Sequence, residues 1–192
     1  MNKLRLIATA AFGLETVVKR EVQNLGFENI KTSNGKVEFD AGLEDIPTAN
    51  LWLRSAGRVL VKMGEFPATT FDDLFEQTKA LPWEDWITED GQFIVNGRSV
   101  KSVLGSVRAC QSIVKKAVVE RLKENYKTDW FEETGPNYTI QVAVRNDVAT
   151  LTIDTSGGND TVIVREAAAN ATIELNTGAG EDTIEVAGAR LA

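Results

Sequence analysis

The sequence predicts an α+β protein of two lobes with a short β-rich appendix at its C-terminal end. Three observations predict it. Elements over residues 1–66 read in the order β-α-β-β-α-β, a second group of strand, helix and two strands starts at Gln92, and the texture changes after Gly157.

Leu4–Thr9 alternates apolar and polar residues as a strand, and Gly13 ends the turn after it. Leu14, Val17, Val18, Val22 and Leu25 recur at helical spacing, with Gly26 where a C-terminal cap belongs. Glu28–Lys31 and Lys36–Asp40 read as strands joined across Ser33-Asn34-Gly35, and Asn-Gly is the strongest short hairpin signal. Leu43–Leu53 reads as a second helix and Val59–Phe66 as a further strand. That order is the split βαβ, or ferredoxin-like, arrangement. Phe71–Ala80 begins another helix with Thr70 as its N-cap, and Pro82 interrupts before Trp83-Glu84-Asp85-Trp86.

In the second group, Gln92–Asn96 is a short strand and Gly97–Gly105 a polar loop. Val107–Tyr126 is a long helix with an apolar stripe through Val107, Cys110, Val114, Val118 and Leu122. Tyr138–Val144 and Val148–Ile153 pair across Arg145-Asn146-Asp147. The expected lobes are residues 1–90 and 91–157, with 158–192 as the appendix.

Composition narrows the function classes. A chain of 192 residues with 43% hydrophobic and 26% charged residues is an ordinary globular protein, not a disordered tail, coiled coil or fibre. No apolar run approaches the roughly 18 residues that span a bilayer. The N-terminal stretch has no apolar core of signal-peptide type, so a cytoplasmic location is expected. One cysteine, Cys110, forbids an internal disulfide, and the absence of histidine removes His-dependent triads and His–metal sites. On its apolar stripe, Cys110 reads as a small core residue. Asp72-Asp73 and Glu84-Asp85 lack a nearby third ligand and read as solvated acids. The four tryptophans, Trp52, Trp83, Trp86 and Trp130, read as core or edge residues ahead of base-stacking platforms.

The net charge of −7 hides a segregation. Residues 91–127 hold eight basic and two acidic groups inside an otherwise acidic chain. Screening beyond about 8–10 Å lets such a block attract a polyanion against the global sign. The candidate RNA-binding residues are Arg98, Lys101 and Ser102 in the loop, then Arg108, Gln111, Lys115 and Lys116 on the helix that starts near Ser106. Free N–H groups at a helix start, cations and hydroxyls suit a sugar-phosphate backbone. No Gly-x-Gly-x-x-Gly or Walker spacing occurs, so the loop is not built for a nucleotide cofactor.

The run from Phe93 through Lys115-Lys116-Ala117-Val118, with the strand pair after it and Ile153-Asp154-Thr155-Ser156-Gly157, resembles the THUMP domain. With Ala11-Phe12-Gly13-Leu14-Glu15 and Asn50-Leu51-Trp52-Leu53-Arg54-Ser55-Ala56-Gly57-Arg58-Val59, it is similar to the N-terminal half of THUMP-containing 23S rRNA guanine-N2-methyltransferases. The resemblance covers about residues 1–157. It implies that the two lobes bind structured RNA, rRNA foremost, and that a later domain transfers a methyl group from S-adenosylmethionine. The chain departs from the pattern after Gly157. It has no glycine-rich cofactor loop and no Asn-Pro-Pro-Tyr or Asp-Pro-Pro-Tyr motif, so catalysis and a cofactor are not expected of it alone. It reads as a truncation, fusion or engineered hybrid, active as an enzyme only with a methyltransferase domain supplied.

In the appendix, Gly158-Asn-Asp-Thr-Val and Gly180-Glu-Asp-Thr-Ile repeat one pattern 22 residues apart. The second copy fits most of a calcium-binding β-roll nonapeptide. Such sites need adjacent turns to share the ion, so a hairpin or short strands is the leading expectation and a calcium module the alternative.

Overall fold

The computed structural model describes residues 3–155 and the segments 161–164 and 183–186. It divides into two compact units, Met1–Val59 with Thr155–Ala192, and Leu60–Asp154.

The first unit contains β1 (Leu4–Ala10), α1 (Glu15–Asn24), β2 (Glu28–Ser33), β3 (Lys36–Ala41), α2 (Ile46–Trp52) and the start of β4 (Ala56–Pro67). β3 lies between β1 and β2 and is antiparallel to both, with Leu6 opposite Phe39 and Thr32 opposite Val37. Gly35 makes the tight turn possible by adopting φ +77°, a conformation that costs glycine little. α1 packs on β1 and β3 with Val18 and Val22 buried, as are Leu6, Val37 and Phe39 of those strands, while Leu14 and Val17 stay exposed. The expected helix over 43–53 is divided into a 3-10 turn at Leu43–Asp45 and the shorter α2, whose first turn contains Pro47. Proline is tolerated there because the first turn's N–H groups have no helical partner. Thr155 closes this unit, with its hydroxyl donating to Val59 O at 2.8 Å and accepting from Asn50 Nδ2 at 3.1 Å.

The second unit continues β4 and adds α3 (Phe71–Lys79), a 3-10 turn at Trp83–Asp85, β5 (Gln92–Val100), α4 (Val107–Tyr126), β6 (Asn137–Arg145) and β7 (Val148–Asp154). Its strands run in the order β4-β7-β6-β5, which leaves β5 at the edge. β7 is antiparallel to β4 and β6, whereas β5 and β6 are parallel and are joined through α4. Asn146 and Asp147, at φ +50° and +63°, form a two-residue turn of the type that matches strand twist. Cys110, Val114, Val118 and Leu122 of α4 pack with Trp83, Leu74, Ile140 and Leu151. α3 also packs on α4, so residues 60–90 join this unit instead of the first, well before the boundary expected at residue 90.

Two further expectations meet a different structure. Gly97–Gly105 is not all loop, because β5 runs through Gly97, Arg98 and Ser99 to Val100. In the appendix, β8 (Thr161–Val164) and β9 (Thr183–Val186) are short strands, as one expected alternative had it, but they pair in parallel, which excludes the hairpin. Thr161 lies opposite Thr183 and Val162 opposite Ile184, so the pairing register equals the spacing of the sequence repeat. The aspartates named for calcium, Asp160 and Asp182, lie outside the described residues, as do Ser156 and Gly157.

Candidate nucleic-acid interface

β5 alternates cleanly. Phe93, Val95, Gly97 and Ser99 are half-buried, and Ile94, Asn96, Arg98 and Val100 are exposed. Gly97 lies against α4, since a Cβ there would meet Gln111 Cγ at 2.9 Å and Val107 Cγ1 at 3.3 Å. Arg98 therefore projects from the opposite face of the sheet. Along α4, Arg108, Gln111 and Lys115 follow at i, i+3 and i+7 and share one flank. That flank looks toward β5: Gln111 Nε2 donates to Val95 O at 2.9 Å, and Lys115 Nζ sits 5.7 Å from the centroid of the Phe93 ring. Lys116 leans the other way, with Nζ 5.6 Å from the Phe75 ring of α3. Arg98, Lys101, Arg108, Lys115 and Lys116 are all exposed.

Ser102 and Gln111 differ from these cations because their polar atoms are used inside the protein. The Ser102 hydroxyl donates to Asp147 Oδ1 at 2.8 Å and accepts from Leu104 N at 3.2 Å. Ser106 caps α4, its side chain accepting from Ala109 N at 3.3 Å. The structure thus brings Arg98, Lys101, Arg108 and Lys115 around the free edge and far end of β5, and sets Lys116 on the α3 side.

The sequence reading missed Asp147. Its carboxylate accepts from the Val103 N–H and the Ser102 hydroxyl, and these bonds hold it below the usual carboxylate range. No local pattern points to it, because its partners are more than forty residues away in the chain.

Other residues take structural roles. Burial raises the thiol of Cys110, as expected of a core cysteine. Trp83 is fully buried with its indole N–H donating to Thr78 O at 2.7 Å, whereas Trp52 and Trp130 are exposed. Glu84 is not a solvated acid. Arg121 donates to it from two nitrogens, Nε at 2.9 Å, and lowers its carboxyl. Asp73 completes a capping box with Thr70 at the start of α3.

Among the described residues no group of three His, Cys, Asp or Glu could hold a metal ion, and no helix is long and apolar enough to cross a membrane. Glu15 takes the Gly13 N–H between β1 and α1, and Asp147 takes the Val103 N–H between β5 and α4.

Comparison with known proteins agrees with this division. The family description "RlmL ferredoxin-like domain" matches residues 5–60, and "THUMP domain" matches residues 68–154. The chain is 51% identical over 158 residues to the putative RNA methyltransferase YpsC of Bacillus subtilis, covering 81% of this chain and 41% of that protein. It is 30% identical over 154 residues to a ribosomal RNA large subunit methyltransferase K/L of Syntrophotalea carbinolica, covering 80% of this chain and 22% of that one. A Listeria monocytogenes protein described as a predicted N6-adenine-specific DNA methylase superposes with a TM-score of 0.79 at 54% identity, over 82% of this chain and 42% of its own. SMU.472, a putative methyltransferase crystallised with SAH, gives 0.76 at 40% identity, over 81% and 42%. The chain spans less than half the length of each of these proteins.

Proposed function

We propose that this chain, which belongs to the family built from an RlmL ferredoxin-like domain followed by a THUMP domain, is the RNA-binding portion of an RNA methyltransferase. It binds structured RNA, ribosomal RNA foremost, in the cytoplasm, and positions it for a catalytic domain outside these 192 residues. One observation carries the reading. Arg98, Lys101, Arg108 and Lys115 stand exposed around the edge strand of the THUMP unit, inside an otherwise acidic protein. Cations spread over both faces and the end of one strand suit a phosphate backbone followed by shape, without readout of base edges.

The test is filter binding to a structured rRNA fragment, with duplex DNA of equal length as competitor. The expected result is salt-sensitive binding that RNA displaces at lower concentration than DNA. Equal displacement by both would leave only non-specific attraction and sink the reading.

A further inference from the structure

We propose that Asp147 is a positioning residue for RNA binding: from the β6–β7 turn its carboxylate fixes the β5-to-α4 connection so that Lys101 is presented outward. The inference rests on the RNA-binding reading above and deepens it.

The connection has few other anchors. Asp147 Oδ1 accepts from Ser102 Oγ and from Val103 N, both at 2.8 Å. The neighbouring Asn146 N–H donates to Val100 O at 3.2 Å, and Asp147 O accepts from Ala68 N at 2.8 Å. Asp147 is therefore tied to Ala68, just past β4, on one side and to the connection on the other. Buried Leu104 completes the fastening, its carbonyl accepting from Ser99 Oγ at 2.7 Å. Between these ties Lys101 holds φ +51°, a left-handed backbone that a lysine adopts only when its surroundings impose it. Its side chain is exposed, and Val103 two residues on is 75% exposed, so packing holds neither of these two side chains.

The charge of Asp147 makes the inference decidable. A carboxylate on the connection that carries Lys101 repels a polyanion, so by simple electrostatics its removal should tighten RNA binding. Positioning predicts the opposite sign. Asp147→Ala removes both the charge and the acceptor, whereas Asp147→Asn removes the charge and keeps one acceptor oxygen.

The experiment is filter binding of the full chain to a structured rRNA fragment over several salt concentrations, with thermal melting of each variant. Asp147→Ala is expected to weaken binding severalfold and to lower the log–log salt slope by roughly 0.7–0.9, as Lys101→Ala does. Lys101→Ala should then cost little more in the Asp147→Ala background, and Asp147→Asn should restore at least the parent affinity. Ser102→Ala, which breaks the bond to Asp147 and the one from Leu104 N but keeps the Val103 N–H bond to Asp147, gives a weaker form of the same loss should Asp147→Ala fail to fold. Tighter or unchanged binding by Asp147→Ala, or an undiminished cost of Lys101→Ala beside it, overturns the inference alone. A parent chain that does not bind RNA overturns the RNA-binding reading and this inference with it.

Discussion

Lys115 lies over the Phe93 ring, with its ammonium 5.7 Å from the ring centroid, and so belongs to the β5 side of α4. Its sequence neighbour Lys116 belongs to the α3 side through Phe75. A hundred degrees of helical rotation separates the two, and that is enough to place one beside Arg108 and the other away from it. Two lysines that read as one basic pair in sequence are two sites in space.

Lys115→Ala is therefore expected to cost more RNA affinity than Lys116→Ala. A salt slope lowered by roughly 0.7–0.9 for Lys115→Ala and little changed for Lys116→Ala is the expected pattern. Equal slopes for the two variants would place the RNA across the crest of α4, and not along β5.

Gly97→Val should destabilise the second unit by about 1–3 kcal/mol, through overpacking between β5 and α4. Even one added carbon meets Gln111, Val142 and Val107, at 2.9, 3.2 and 3.3 Å. Urea unfolding monitored by tryptophan fluorescence reads the change, and a midpoint equal to the parent's would contradict the close approach of α4.

Glu84 and Arg121 tie the turn before β5 to α4, and Tyr126 donates to Ile87 O at 2.7 Å beside them. Because Arg121 lowers the Glu84 carboxyl, the pair contributes stability above the ordinary glutamate pKa of about 4.3. That contribution is lost as pH falls through the lower folded-state value. Melting temperature should fall between pH 5 and pH 3 more steeply in the parent than in Glu84→Gln. Parallel pH profiles for the two would show that the pair contributes nothing.

Much of this fold was legible because local patterns fixed it. The stripe from Cys110 to Leu122 marked α4, Asn34-Gly35 marked the first hairpin, and Thr70 marked the start of α3. Residues 97–100 of β5 escaped because an edge strand under a close helix wants small inward residues and shows polar ones outward, so Gly97-Arg98-Ser99 has the composition of a loop. The allegiance of α3 escaped because its packing partner, α4, lies far along the chain. The charged members of the candidate interface were found from local charge alone. Asp147, which holds the connection between them, was not, because only the folded chain brings it to Ser102 and Val103.

S-adenosylmethionine should not bind the chain by itself, because the sequence holds no glycine-rich cofactor loop and no Asn-Pro-Pro-Tyr or Asp-Pro-Pro-Tyr motif. Isothermal titration is expected to give no saturable heat. Micromolar binding would contradict the assignment of methyl transfer to a separate domain.

The central claim is that RNA is held by the cations around β5, and salt dependence tests it most directly. Lys101→Glu with Arg108→Glu and Lys19→Glu with Lys31→Glu change the net charge equally, the first pair in the second unit and the other pair in the first. Filter binding of parent and both variants to one structured rRNA fragment, across salt concentrations, gives three log–log slopes. The account predicts a slope lowered by roughly 0.7–0.9 for each contact removed in Lys101→Glu with Arg108→Glu, and a slope near the parent's in the other variant. Equal losses of slope and affinity in both variants would mean diffuse attraction and would contradict the assigned surface.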